Sequence, residues 1–244
     1  MTALVLAALC MPPTPALAQT CPAPLAGARR LVLVTAETMN HAAASLQWFE
    51  RNAPADRWRE VSPAEPVMIG RAGMAWSQFS RALARQGEPI KLEGDKRAPA
   101  GIYPIGRSFG TLASSRPNHI HVTNDTVCVH DLSSPAYNTI TSRASVGPKV
   151  SVENMSRMLP MYRRGLVVDY PTDARARAGS CIFIHVWRTP TTGTAGCVAL
   201  PEARVEALQA FSEPGAVIAI LPRYAVGRLR GCLPEPAARG RKAS

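Results

Sequence analysis

The sequence predicts a mainly β fold with a few helices, a mixed β/α class. Short runs of β-branched and aromatic residues recur along the chain, and its 22 prolines and 17 glycines punctuate them. Only two stretches carry apolar residues at helical spacing.

In chain order, residues 30–36 (RLVLVTA), 46–50 and 67–70 read as short strands. Residues 101–105 and 126–130 continue that pattern, and 131–138 form a turn-rich stretch containing Ser134-Pro135. Val152, Met155, Met158 and Leu159 recur at helical spacing until Pro160 stops the run, so a helix is expected there, with its methionines packing a core. Residues 165–170 and 181–187 read as apolar strands, 202–211 as an amphipathic helix through Val205 and Leu208, and 216–221 as a buried closing strand.

Residues 1–18 hold no charged side chain, carry the apolar run Ala3 to Leu9 and end Ala16-Leu17-Ala18, the pattern of an export signal. No later segment approaches the ~18 uninterrupted apolar residues of a membrane span, so an exported protein, periplasmic or extracellular, without a transmembrane segment is expected. The organisation read from the sequence is a signal peptide (1–18), an N-terminal segment (19–29), one large domain (30–222) and a basic C-terminal tail (223–244). The net charge of +11 calls for anionic partners. Its cations are scattered, however, and cluster only in the tail from Arg223 to Lys242, which reads as a solvated segment. An exported chain meets anionic cell envelope rather than nucleic acid.

The chemistry concentrates in Ile184-His185, a loop, and Thr194-Ala195-Gly196-Cys197. A thiolate attacks and a thiol does not, so a catalytic cysteine needs a base, and imidazole is the usual one. Glycine before the nucleophile permits a tight turn, and lets a substrate carbonyl approach the backbone N–H groups of an oxyanion hole. His185 and Cys197 lie twelve positions apart across a Pro-, Gly- and Thr-rich stretch that lets one strand return beside another. Upstream, Glu93-Gly94-Asp95-Lys96-Arg97-Ala98-Pro99-Ala100-Gly101-Ile102-Tyr103 is a second motif, in which Asp95 reads as the organiser of its glycine turn.

Together these two motifs resemble the L,D-transpeptidase catalytic-domain family (YkuD-like), in a divergent subgroup. The resemblance implies a β-sandwich with the cysteine loop at a groove. It also implies a cysteine peptidyltransferase acting on peptidoglycan stem peptides, with no metal or organic cofactor. Cys197 would be the nucleophile, His185 the proton acceptor and donor, Gly196 the backbone of the oxyanion site and Thr194 the turn former. If water resolves the thioester, the same site is an L,D-carboxypeptidase or amidase. A non-catalytic envelope-binding module is the reading from another class. Many family members carry His two positions before the cysteine and Arg two after it, whereas this chain has Ala195 and Ala199; Arg188 is the residue placed to compensate.

Of six cysteines, Cys10 lies in the leader, and the remaining five leave two disulfides and one thiol in an oxidising compartment. Cys21 and Cys232 flank the domain, and Cys128 and Cys181 sit in two β-like runs, which favours those two pairs among the three connectivities. Cys197 is then the unpaired thiol. His119 and His121 match no standard zinc spacing and read as solvent-exposed or structural. His130 either lines the groove as a substrate contact or ends its strand structurally. Asp169 and Trp187 are read equally well as site residues or as a strand end and a core aromatic. Ser180 lacks a nucleophile-elbow pattern, which argues against a serine hydrolase.

Overall fold

Leu31, Val32, Leu33 and Val34 follow one another without a polar residue, so the strand they form needs cover on both faces. In a computed structural model, which describes residues 21–212 and 215–234, that strand, β1 (Arg30–Ala36), is buried almost throughout. The chain continues through β2 (Ala43–Glu50), β3 (Arg59–Glu60), β4 (Glu65–Met68), β5 (Met74–Trp76), β6 (Ala98–Gly110) and β7 (Ile120–His121). After these come β8 (Thr126–Val129), β9 (Ile140–Ser142), β10 (Val152–Asn154), β11 (Gly165–Val168), β12 (Phe183–Val186), β13 (Val198–Leu200) and β14 (Val217–Pro222). The predicted signal peptide lies outside the described residues.

The mainly β, mixed class expected from the sequence is what forms. Strands run in the order β1-β14-β6-β11-β12-β13-β4-β2, and β2 pairs back onto β1, so the sheet closes as an eight-stranded barrel where the resemblance implied a sandwich. Closure leaves β1 hydrogen-bonded on both sides, antiparallel to β2 and parallel to β14. A separate three-stranded sheet, β10-β8-β9, carries Cys128 and is tied by the Cys128–Cys181 disulfide to the segment just before β12. The second disulfide joins Cys21 to Cys232, so both expected pairs are present.

Where the sequence reads strand, a strand forms, with ends shifted by a few residues, in the barrel except for β8. Residues 202–211 are the expected helix, Glu202–Phe211, and it buries Val205 and Leu208. Each of these burials contributes roughly 1.5–3 kcal/mol. The helix expected over Val152 to Leu159 does not form. Val152–Asn154 is instead β10, which pairs Val127 to Val129, and only Met155–Met158 turns, as a 3₁₀ segment. Cross-strand pairing satisfies the backbone there, and Met155 still reaches a core.

The described part of the basic segment is not a solvated tail. Arg223–Val226 is a helical turn, and Ala225, Val226, Leu229, Cys232 and Leu233 are buried in the main core. Its cations lie along the surface: Arg223 pairs with Glu37, and Arg228 donates to the Leu83 carbonyl. Apolar residues between the arginines therefore decide its placement.

A second, smaller core joins β6 and β12 to β8. Phe109, Tyr162 and Phe183 meet edge-to-face at centroid separations of 5.0–5.7 Å, with Cys128, Met155 and Cys197 packed against them. Among the described residues, no helix is long and apolar enough to cross a membrane.

Candidate active site

His185 lies in β12, which runs parallel to β13 with Ile184 opposite Val198 and His185 opposite Ala199. Extending that register back by one residue sets Cys197 across from Phe183. Because side chains alternate along a strand, Phe183, His185 and Cys197 share one face. The loop between the strands is clamped to its neighbours: Thr194 N–H donates to Ile69 O at 2.8 Å, and Arg71 N–H donates to Thr194 O at 2.8 Å.

Thr194 holds the cysteine turn with one hydroxyl. Its Oγ1 accepts from Gly196 N–H at 3.0 Å and donates to the Cys197 carbonyl at 2.7 Å. Gly196 sits at φ +151°, and a Cβ there would stand 3.0 Å from the Arg97 carbonyl of the Gly94-Asp95 segment. Glycine is thus required by conformation and by close approach together. The expected role of the Gly196 backbone as an oxyanion donor meets a correction: its N–H is already engaged by Thr194.

Cys197 is the free cysteine among the described residues, 6% exposed, and His185 is 5% exposed. Both line one cavity of about 710 Å³. The imidazole Nδ1 is 2.8 Å from Val186 O. A carbonyl only accepts, so Nδ1 carries the proton and Nε2 is left as the basic nitrogen. The Cys197 thiol donates to Cys181 O at 3.5 Å. Burial pushes the thiol up to about 12, reinforced by the Glu153 charge and opposed by the Phe183 N–H and Lys91. Burial also pushes His185 down to about 4 against the hydrogen bond to Val186. The free site therefore holds a protonated thiol and a neutral imidazole in the lining of one cavity.

The upstream motif arrives at the same cavity. Asp95 accepts from Leu92 N–H, Arg97 N–H and the buried Lys91 ammonium, so it organises its turn as its sequence context suggested. Glu93, Gly94 and Lys96 line the cavity wall. Glu93 accepts from the Tyr137 hydroxyl at 2.5 Å and the Ser180 hydroxyl at 2.7 Å.

His130 and Arg188 line the cavity too, His130 half-buried and Arg188 exposed. Asp169 is not brought there; it lies against Gly106 and beside Arg116, and Trp187 is likewise outside the lining. His119 bonds Ser108 at 2.9 Å, and among the described residues no group of three or more His, Cys, Asp and Glu side chains is placed to hold a metal ion.

Sequence reasoning missed Arg71, Lys91, Glu153 and Tyr162 as cavity residues. Tyr162 packs its ring edge-on to His185 at 5.3 Å, and its hydroxyl donates to Glu153 at 2.7 Å. Glu153 lay inside the run read as a helix, where no spacing signal separates it from surface charge. Compared with models of protein families, with curated proteins and with solved structures, the chain gives no match.

Proposed function

We propose that this chain is an exported cysteine peptidyltransferase of the L,D-transpeptidase type, acting on peptidoglycan stem peptides. The observation that carries the proposal is that His185 in β12 and Cys197, the residue just ahead of the neighbouring β13, line one cavity. The union of both sequence motifs at that cavity, through Gly196 against Arg97, adds support. The two disulfides accord with an oxidising, extracytoplasmic setting.

In this reading Cys197 Sγ attacks the carbonyl joining the L-configured centre of a diamino acid to a terminal D-alanine. His185 Nε2 takes the thiol proton and returns it to the departing D-alanine amine as the C–N bond breaks. The Cys197 N–H is the backbone donor left to meet the oxyanion, since Gly196 is held by Thr194. A second amine then attacks the thioester, expels the Cys197 sulfur and forms the cross-link. Attack by water instead gives an L,D-carboxypeptidase.

A second reading, a non-catalytic envelope-binding module, is favoured by one observation: the thiol is buried and held at about 12. Thiol chemistry separates the two. Intact-mass measurement after carbapenem or iodoacetamide treatment should give one adduct, absent in Cys197→Ala; an unreactive Cys197 in folded protein supports the binding module. D-Alanine release from purified muropeptides, with and without an acceptor amine, then separates transferase from hydrolase.

A further inference from the structure

The cavity lining carries both cations and acids. Arg71, Lys96 and Arg188 lie on loops that line the cavity, and Lys91 is already committed to Asp95 and the Leu92 carbonyl. The lining also includes Met158, Met161, Tyr162 and Ile182, and two acids, Glu93, which accepts from Tyr137 and Ser180, and Glu153. Glu153 Oε1 accepts from Tyr162, which fixes the carboxyl beside the His185 ring's own packing partner. No salt bridge among the described residues involves Glu153. A largely buried carboxylate held in no ion pair is costly to keep charged, and a ligand cation would lower that cost.

We propose that Glu153, anchored by Tyr162, receives a primary ammonium group of the substrate, making the cavity selective for amine-bearing peptides. This rests on the reading of Cys197 as a reactive nucleophile. Its consequence reaches the chemistry. Burial holds the Glu153 carboxyl above the ordinary carboxylate range, its ionised form opposes ionisation of Cys197, and Tyr162 and His130 are the other titratable groups facing that carboxyl. An ammonium seated on Glu153 cancels that opposition, so the correct substrate both binds and eases proton loss from the thiol.

Three methanethiosulfonate reagents test this on Cys197 without any enzymatic assay: ethylammonium, ethylsulfonate and propyl, the neutral isostere of the first. Rates are normalised to those with a small free thiol and followed by intact mass. Wild-type protein is expected to favour the ammonium reagent over the neutral one by about tenfold, and Glu153→Gln to abolish that preference. With wild-type protein alone, added propylammonium should slow labelling by the ammonium reagent, whereas sodium at equal ionic strength should not. An equal preference in wild type and Glu153→Gln, or no protection by propylammonium, overturns the ammonium site while leaving the nucleophile reading intact. Failure of all three reagents to label folded protein overturns both.

Discussion

Raising the pH should awaken Cys197 late and without a plateau near neutrality. The folded thiol is held at about 12, above the ordinary value near 8.5, so the group stays protonated through the physiological range. At pH 7 roughly one molecule in a hundred thousand carries a thiolate, against about three in a hundred for an ordinary thiol. Higher basicity raises the nucleophilicity of the thiolate that does form, and a Brønsted slope of about 0.45 returns roughly one and a half decades. Alkylation by iodoacetamide at pH 7 should therefore run roughly a hundredfold slower than with glutathione, before any slowing from burial. Between pH 7 and 10 the rate should climb about tenfold per unit. The assay is a pH series of pseudo-first-order alkylation rates read by intact mass, with Cys197→Ala as blank. A rate that levels off below pH 8 would mean a preformed thiolate–imidazolium pair, and would refute the neutral-pair argument.

Other consequences concern stability. His185 is held at about 4, below its unfolded value near 6.5, so the stability it contributes is present above pH 6.5 and lost as pH falls toward 4. On the order of 3 kcal/mol should go in that window, and His185→Gln should flatten the urea-midpoint profile there; an unchanged profile counts against the burial argument. Gly196→Ala places a methyl 3.0 Å from the Arg97 carbonyl at φ +151°, which should cost about 1–3 kcal/mol and lower the melting temperature by several degrees. A variant that melts like the parent would show that the turn relaxes freely. Replacing Cys21 and Cys232 together by serine opens a loop spanning 211 positions and should cost about 2–5 kcal/mol, measured as a lower urea midpoint.

What local sequence could reveal depended on whether local forces decided the outcome. The uninterrupted apolar run of β1 and the Val205–Leu208 spacing of the helix each point to one structure, and each forms. The thirteen-residue strand β6 was read only over residues 101–105, because Pro99, Gly101, Pro104 and Gly106 interrupt the signal. Crowding accounts for two of those glycines. A Cβ at Gly101 would stand 2.3 Å from the Tyr103 hydroxyl, and one at Gly106 would stand 2.1 Å from the Asp169 carboxylate. Cys197 and His185 were legible because their motif is compact in sequence. Glu153 and Tyr162 were not, since β10 adopts strand geometry only by pairing with β8, and that pairing carries Glu153 to the cavity.

Cys21 lies ahead of β1 and Cys232 lies beyond β14, and these two strands are parallel neighbours in the barrel. A single protease cut in any loop between the two cysteines therefore yields two peptides still joined through sulfur. Such clipped molecules would co-migrate with whole protein under non-reducing conditions and separate only after reduction, so damage in a proteolytic milieu need not release a fragment.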